Sequence, residues 1–317
     1  IYNWNSSPTI KDCLFSSNES DYAGGIANNG SSPTISNCDF SNNIARLGGA
    51  INNLWSSPII TNCSFVDNQA HDAGGGILNE NVGGTSDTSP VITNCLFTGN
   101  SAMQGAGIAN RDTATPTITN CSIVNNKGHI CGGAFFNEKN SALTLKNSIL
   151  WKNTPASQIH DSSSTSTVSD CLIENGYATG VNIMSSNPMF ADISNPAGLD
   201  GIFGTVDDGL RLTSGSPCVN VGDNTALPVN VTSDYLGNAR IFNAIVDLGA
   251  YEYVGSIGAC LAYANSTFNE SPADDGSIAN TILINISGDT FKGDDGVDFA
   301  TSGKLIVTNL PANLIAS

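Results

Sequence analysis

The first 175 residues are variations on one phrase, SSPTITNCxFxxN, written SSPTISNCDFSNN at 31–43 and SSPIITNCSFVDN at 56–68. Aligned on cysteine, Cys13, Cys38, Cys63, Cys95 and Cys121 share one column, Ser148 takes the sixth place and Cys171 the seventh. The steps of 25, 25, 32, 26, 27 and 23 residues have the period of a solenoid coil, a unit that buries its apolar face only by stacking on its neighbours.

Each column has a physical reading. Ile10, Ile35, Ile60, Ile92, Ile118 and Leu145 alternate with Lys11, Ser36, Thr61, Thr93, Thr119 and Lys146, the period-2 pattern of a half-buried strand. Asp12, Asn37, Asn62, Asn94, Asn120, Asn147 and Asp170 follow, residue types that tolerate the left-handed conformation, so the chain bends there. The bend resets the alternation and turns both the cysteine column and the Phe15, Phe40, Phe65, Phe97, Ile123 and Leu150 column inward. Asn18, Asn43, Asn68, Asn100, Asn126 and Asn153 come five residues after the cysteine column. Asn28, Asn53, Asn79, Asn110 and Asn137 close a Gly-rich third limb. Both asparagine columns read as stacked turns whose amides hydrogen-bond from coil to coil.

Three short strands and bends per coil predict an all-β right-handed parallel β-helix of about seven coils over 1–175, a rod on the order of 34 Å long. The 32-residue step comes from an insertion at Glu80–Ser89 that lengthens a turn and leaves the strands intact. Residues 176–255 read as a closing segment capping the open end of the core, and 256–317 as part of a β-sandwich, with Ile282, Ile284 and Ile286 alternating and Leu305 and Val307 repeating the pattern. The chain opens in mid-coil and stops inside a sandwich module. The expectation is one segment of a longer extracellular polypeptide, or a filament subunit that self-associates through open module ends.

The coil pattern resembles the right-handed β-helix repeats of large bacterial surface proteins, in the broad pectate-lyase-like superfamily. Ser186-Asn187-Pro188-Met189-Phe190, GSPCVNVGDN at 215–224, Asp234, Gly237, Arg240 and VDLGAYEY at 246–253 look like the closing segment of choice-of-anchor Q proteins. Residues 258–317, with TFNES, ADDGSI, SGDTF and a later LP turn, resemble the first half of a module repeated in giant bacterial adhesins. These resemblances imply a secreted protein tethered at the bacterial cell surface.

Charge narrows the partners. With 28 acidic against 11 basic side chains there is no cationic surface to neutralise phosphates, so nucleic acid and anionic membrane are poor partners. No apolar run approaches the roughly 20 residues of a membrane span. A cell-surface or extracellular glycan or protein remains as the class of ligand. DGIFGTVDDG places Asp200, Asp207 and Asp208 in a Gly-rich loop whose oxygens could ligate calcium, although the spacing is not that of an EF-hand; a hydrogen-bonded acidic turn is the alternative. No other cofactor is indicated. Arg240 among Asp234, Asp247 and Glu252 reads as an ion pair holding the cap together.

Stacked cysteines would lie roughly 4.8 Å apart, a separation disulfide geometry permits, but their side chains run parallel, which favours buried thiols acting as small hydrophobes. A serine at Cys63 would place a hydroxyl without an assured partner in the core. Cys131, Cys218 and Cys260 lie outside the column.

A polysaccharide lyase or hydrolase would need clustered carboxylates, or a basic residue beside calcium. The outward positions after the cysteine column are Leu14, Asp39, Ser64, Leu96, Ser122, Ile149 and Leu172, and no face reads as stacked acids or bases. His71 and His129 read as exposed turn residues. The reading is therefore a non-enzymatic adhesin, stalk or filament segment. A polysaccharide enzyme is one alternative; glycan or ice binding by the face of Thr34, Ser36, Thr61, Thr93, Thr117 and Thr119 is another.

Overall fold

In the computed structural model, residues 1–84 and 87–255 are described, with the backbone of two further strands, Cys260–Tyr263 and Ile284–Ser287. These two strands pair antiparallel. Ile284 and Ile286 thus lie in a strand as expected; the rest of the sandwich reading, with Leu305 and Val307, lies outside the described residues.

The N-terminal region is a parallel β-solenoid of about seven coils. A coil contains four short strands where the sequence predicted three; in the second coil they are Ile26–Asn29, Thr34–Ser36, Asp39–Ser41 and Ile44–Leu47. Each stacks in parallel on its counterpart in the next coil. The missed strand follows the Asn18 column, where alternation over four residues is too brief to stand out. The bends are as expected: Asp12, Asn37, Asn62, Asn94, Asn120, Asn147 and Asp170 all have positive φ, between 48° and 54°. The insertion leaves the strands in register, since Ile60 pairs with Ile92 as Ile35 pairs with Ile60.

Like residues fill the interior in files. The rings of Phe15, Phe40, Phe65 and Phe97 stack at centroid spacings of 4.8, 5.0 and 4.5 Å, nearly parallel. Cys38, Cys63, Cys95, Cys121 and Cys171 are free thiols with no exposed surface. Cys13 departs from the expectation and is exposed, its thiol donating to Lys11 O at 3.1 Å. Each buried thiol donates to the carbonyl two residues earlier, as Cys63 does to Thr61 at 3.3 Å. Burial pushes Cys171 up to about 12 and Cys95 well above its ordinary value, so both are neutral thiols. Ser148 fits the same file: its Oγ donates to Lys146 O at 2.7 Å and accepts from Cys121 N at 3.2 Å.

Two amide files run the length of the solenoid. In one, Nδ2 of Asn18, Asn43, Asn68, Asn100 and Asn126 donates to Oδ1 of the next member at 2.8–2.9 Å, and Asn153 closes the file on Gln158 Oε1 at 2.7 Å. These amides sit at bends, and Nδ2 also reaches carbonyls of the phenylalanine file, such as Phe40 O from Asn68 at 2.9 Å. In the other, Asn3, Asn28, Asn53, Asn79, Asn110 and Asn137 are linked in the same direction at 2.7–2.9 Å, ending on Asp161 Oδ1 at 2.7 Å. This second file lies inside strands, Ile26–Asn29 and its counterparts, and is not the row of turns the sequence suggested. Such buried amides persist because each finds its partner in the adjacent coil; an orphaned one would cost about 1–3 kcal/mol.

Candidate functional site

Residues 176–255 do two different things. Tyr177 and Ile183 pack against the C-terminal end of the core, and Val181–Met184 adds a parallel strand there. From Phe190 onward the chain turns back along the flank of the solenoid and does not cover its end. Leu210, Ala250 and Tyr251 pack on Leu96 and Val124, and Leu212, Cys218 and Leu248 on Ile149 and Leu172. Polar contacts fix the crossing: Asn120 Nδ2 donates to Asp247 O at 3.0 Å, Asn147 Nδ2 to Asp223 O at 2.9 Å, and Ala250 N to Ser122 Oγ at 3.1 Å.

The crossing explains why the outward column is so poor in charge: Ser64, Leu96, Ser122, Ile149 and Leu172 are buried. It also divides the threonine face. Thr93 and Thr119 are buried beside the crossing, while Thr34 is exposed and Ser36, Thr61 and Thr117 are half-buried. The six residues therefore do not form one open array.

Within the crossing segment Arg240 is 1% exposed, and its Nη2 lies 3.0 Å from Glu252 Oε1. Nη1 donates to Ala250 O at 3.0 Å, and Nη2 to the carbonyls of Asp247 and Gly249 at 2.9 and 3.0 Å. Asp234 and Asp247 serve backbone amides instead, including Glu252 N at 2.8 Å and Tyr253 N at 2.6 Å. Of the three acids, Glu252 is thus the one whose side chain meets the Arg240 guanidinium. Burial pushes Glu252 up to about 8, against the lowering pull of Arg240.

The calcium candidates point to different donors. Asp200 accepts from Ile202 N at 2.8 Å, and Asp207 from Leu199 N at 2.6 Å and Thr205 Oγ1 at 2.7 Å. Asp208 is fully buried and accepts from Tyr251 OH at 2.6 Å and Gly204 N at 2.8 Å; burial pushes it up to about 6. Among the described residues no three acidic, cysteine or histidine side chains converge to hold a metal. The carboxylates tie the loop together and tie it to Tyr251.

One charged constellation escaped the sequence reading. A furrow runs between the ladder of Ile26–Asn29 and the ladder of Ile44–Leu47. Its floor is the register Tyr2, Ala27, Asn52, Leu78, Ala109, Phe136. Along one wall Glu80 pairs in register with Arg111, and Glu138 follows one coil on. Arg111 reaches across the furrow: Nε lies 3.1 Å from Glu138 Oε1, and Nη2 lies 2.8 Å from Gln104 Oε1 and 3.2 Å from Asp72 Oδ1. Burial raises Glu80 despite the nearby Arg111. These residues stand one place after Asn79, Asn110 and Asn137, so the column was readable in the alignment. It corrects the expectation that no face stacks acids and bases. His71 and His129 are exposed as expected, but lie in strands, Gln69–Ala73 and Lys127–Cys131.

A parallel solenoid with four-strand coils and internal files of like residues defines the class of protein. The sequence matches the family described as right handed beta helix region over residues 1–114 and 76–195. The chain belongs to that family. No curated protein matches it, and no helix among the described residues is long and apolar enough to cross a membrane.

Proposed function

We propose that the chain is a non-enzymatic segment of a secreted bacterial cell-surface adhesin, stalk or extracellular filament, with the β-helix as a stiff spacer and display surface. One observation carries the reading: both amide files run unbroken through the coils, so the interior polar groups are spent on binding each coil to the next. The crossing segment adds lateral support, and its resemblance to choice-of-anchor Q closing segments favours surface tethering. Its ligand class is an extracellular glycan or protein. Antibody raised against residues 1–255 should label intact producing cells before permeabilisation; labelling only after permeabilisation overturns the reading.

A second reading, a polysaccharide lyase or hydrolase, draws on the Asp72, Glu80, Arg111 and Glu138 constellation, where a carboxyl raised by burial lies near a guanidinium that joins two further acids. Arg111 binds two of these acids, which suits a structural clasp better than a reacting pair. Incubation with acidic and neutral polysaccharides should release neither reducing ends nor unsaturated products. Turnover abolished by Glu80→Gln establishes the enzyme instead.

A further inference from the structure

Toward the N-terminal end the furrow opens into a cavity of about 580 Å³, lined by Tyr2, Ser20, Tyr22, Ala27, Asn52 and Leu54 among others. Downstream the same furrow is filled. Its floor carries Leu78 and Phe136, and at Ala109 the side chain of Arg111 spans the gap to Gln104. At Ala27 the floor is a methyl group, and space remains.

Three features of the lining define what would occupy it. Tyr2 and Tyr22 are 61% and 55% exposed, and the guanidinium of Arg46 lies 5.2 Å from the Tyr22 ring centre, holding that ring in place. Asn52 is only 5% exposed, yet its Oδ1 has no hydrogen-bond partner among the described residues. A buried acceptor without a donor is costly, and a ligand hydroxyl would relieve it. The lining contains no Asp, Glu, Lys or Arg side chain, and the amino group of Ile1 is turned to Gly25 O at 2.7 Å, so no side chain there anchors a cationic or anionic ligand. The net charge of −17 further repels uronates.

We propose that this cavity is a saccharide-binding site that seats one pyranose ring of a neutral glycan. The sugar's C–H face lies against the tyrosine rings, and one hydroxyl donates to Asn52 Oδ1. Aromatic rings serve this purpose because they present apolar area beside a polar tip. The inference rests on the display reading and names what the rod displays.

The test uses the full chain, titrated with glucose, galactose, mannose, N-acetylglucosamine and their short oligomers, by saturation-transfer NMR and calorimetry. At least one neutral oligomer should bind, and polygalacturonate should not. Tyr22→Ala should weaken binding about tenfold, in line with one lost aromatic contact. Asn52→Leu should abolish it while the chain stays folded with a cooperative melt, since leucine already occupies the next floor position, Leu78, and the orphaned acceptor goes together with the amide's hydrogen bond to Glu80. The retained cooperative melt separates lost binding from lost folding. Absence of binding across the panel, binding unaffected by both variants, or preference for polygalacturonate overturns the proposal. Labelling of intact cells would still stand in each case, so failure of this site and failure of the display reading are distinguishable.

Discussion

The coils and the crossing segment are held together by opposite means. In the coils the two amide files pair each asparagine with a like side chain one coil away, so one residue type in one column satisfies the whole file. In the crossing segment almost nothing repeats. Its only described helix is the three-residue turn Asn224–Ala226, and its ordering comes from particular pairings: Arg240 with Glu252, Asp208 with Tyr251, Asn147 with Asp223. Repetition makes stability additive, coil by coil. A segment without it depends on a few buried contacts, each with its own environment.

Breaking the repetitive region should cost most. Asn100 accepts from the backbone and side chain of Asn68 and donates to Phe65 O and Asn126 Oδ1. Asn100→Ala should therefore lower the unfolding free energy by about 3 kcal/mol, as several buried groups lose a partner together. Urea denaturation checks this, and a loss under 1 kcal/mol would mean that water replaces the amide.

The crossing segment should detach with less disturbance. Gly249 has a φ of 86°, and an added Cβ would lie 2.8 Å from both Ile149 Cδ1 and Ser122 Oγ. Gly249→Val should cost roughly 1–3 kcal/mol and expose residues 190–253 to protease while the coils resist. Simultaneous cleavage of both regions would show that the flank is needed for the coils to fold.

Acidity separates the regions further. Folding raises Glu252 from its ordinary 4.5 to about 8, so across that interval the folded state holds more proton than the unfolded one. Its contribution to stability is present below pH 4.5 and declines as pH rises through 8. Hydrogen exchange of the crossing segment should quicken between pH 5 and 8.5 relative to the coils, and Glu252→Gln should flatten that trend. An unchanged trend in the variant would place its origin elsewhere.

The smallest effect should come from the thiol file. Because Ser148 already donates to a carbonyl two residues earlier, Cys121→Ser should do the same and cost under about 1 kcal/mol. This replaces the expectation from sequence that a hydroxyl there has no assured partner. A larger loss by thermal melting would mean that sulfur volume matters more than hydrogen bonding.

The contrast also explains what was legible in the sequence. Repetition displayed the inward columns, the left-handed bends and the insertion, because seven noisy copies average into one pattern. The course of 190–253 was hidden: nothing in Leu210, Leu248 or Tyr251 says which surface they cover, and Ser64 and Ser122 look like solvent residues until a second layer lies on them. The Glu80, Arg111 and Glu138 column was present but unremarked, since each residue looks ordinary alone and the charges oppose only once the coils are stacked.

The strand-borne amide file ends on Asp161, whose Oδ1 receives Asn137 while Ser166 and Tyr177 donate to the same carboxylate. Both oxygens of that side chain are acceptors here. Asn137 must therefore turn its NH2 toward it and its oxygen toward Asn110, which must do likewise toward Asn79, and so on to Asn3. One acidic side chain thus fixes the orientation of six amides and lines up their dipoles, and no member can rotate by 180° without setting donor against donor. The rod is polarised along its axis, and its two ends are chemically unlike wherever the amide file is cut.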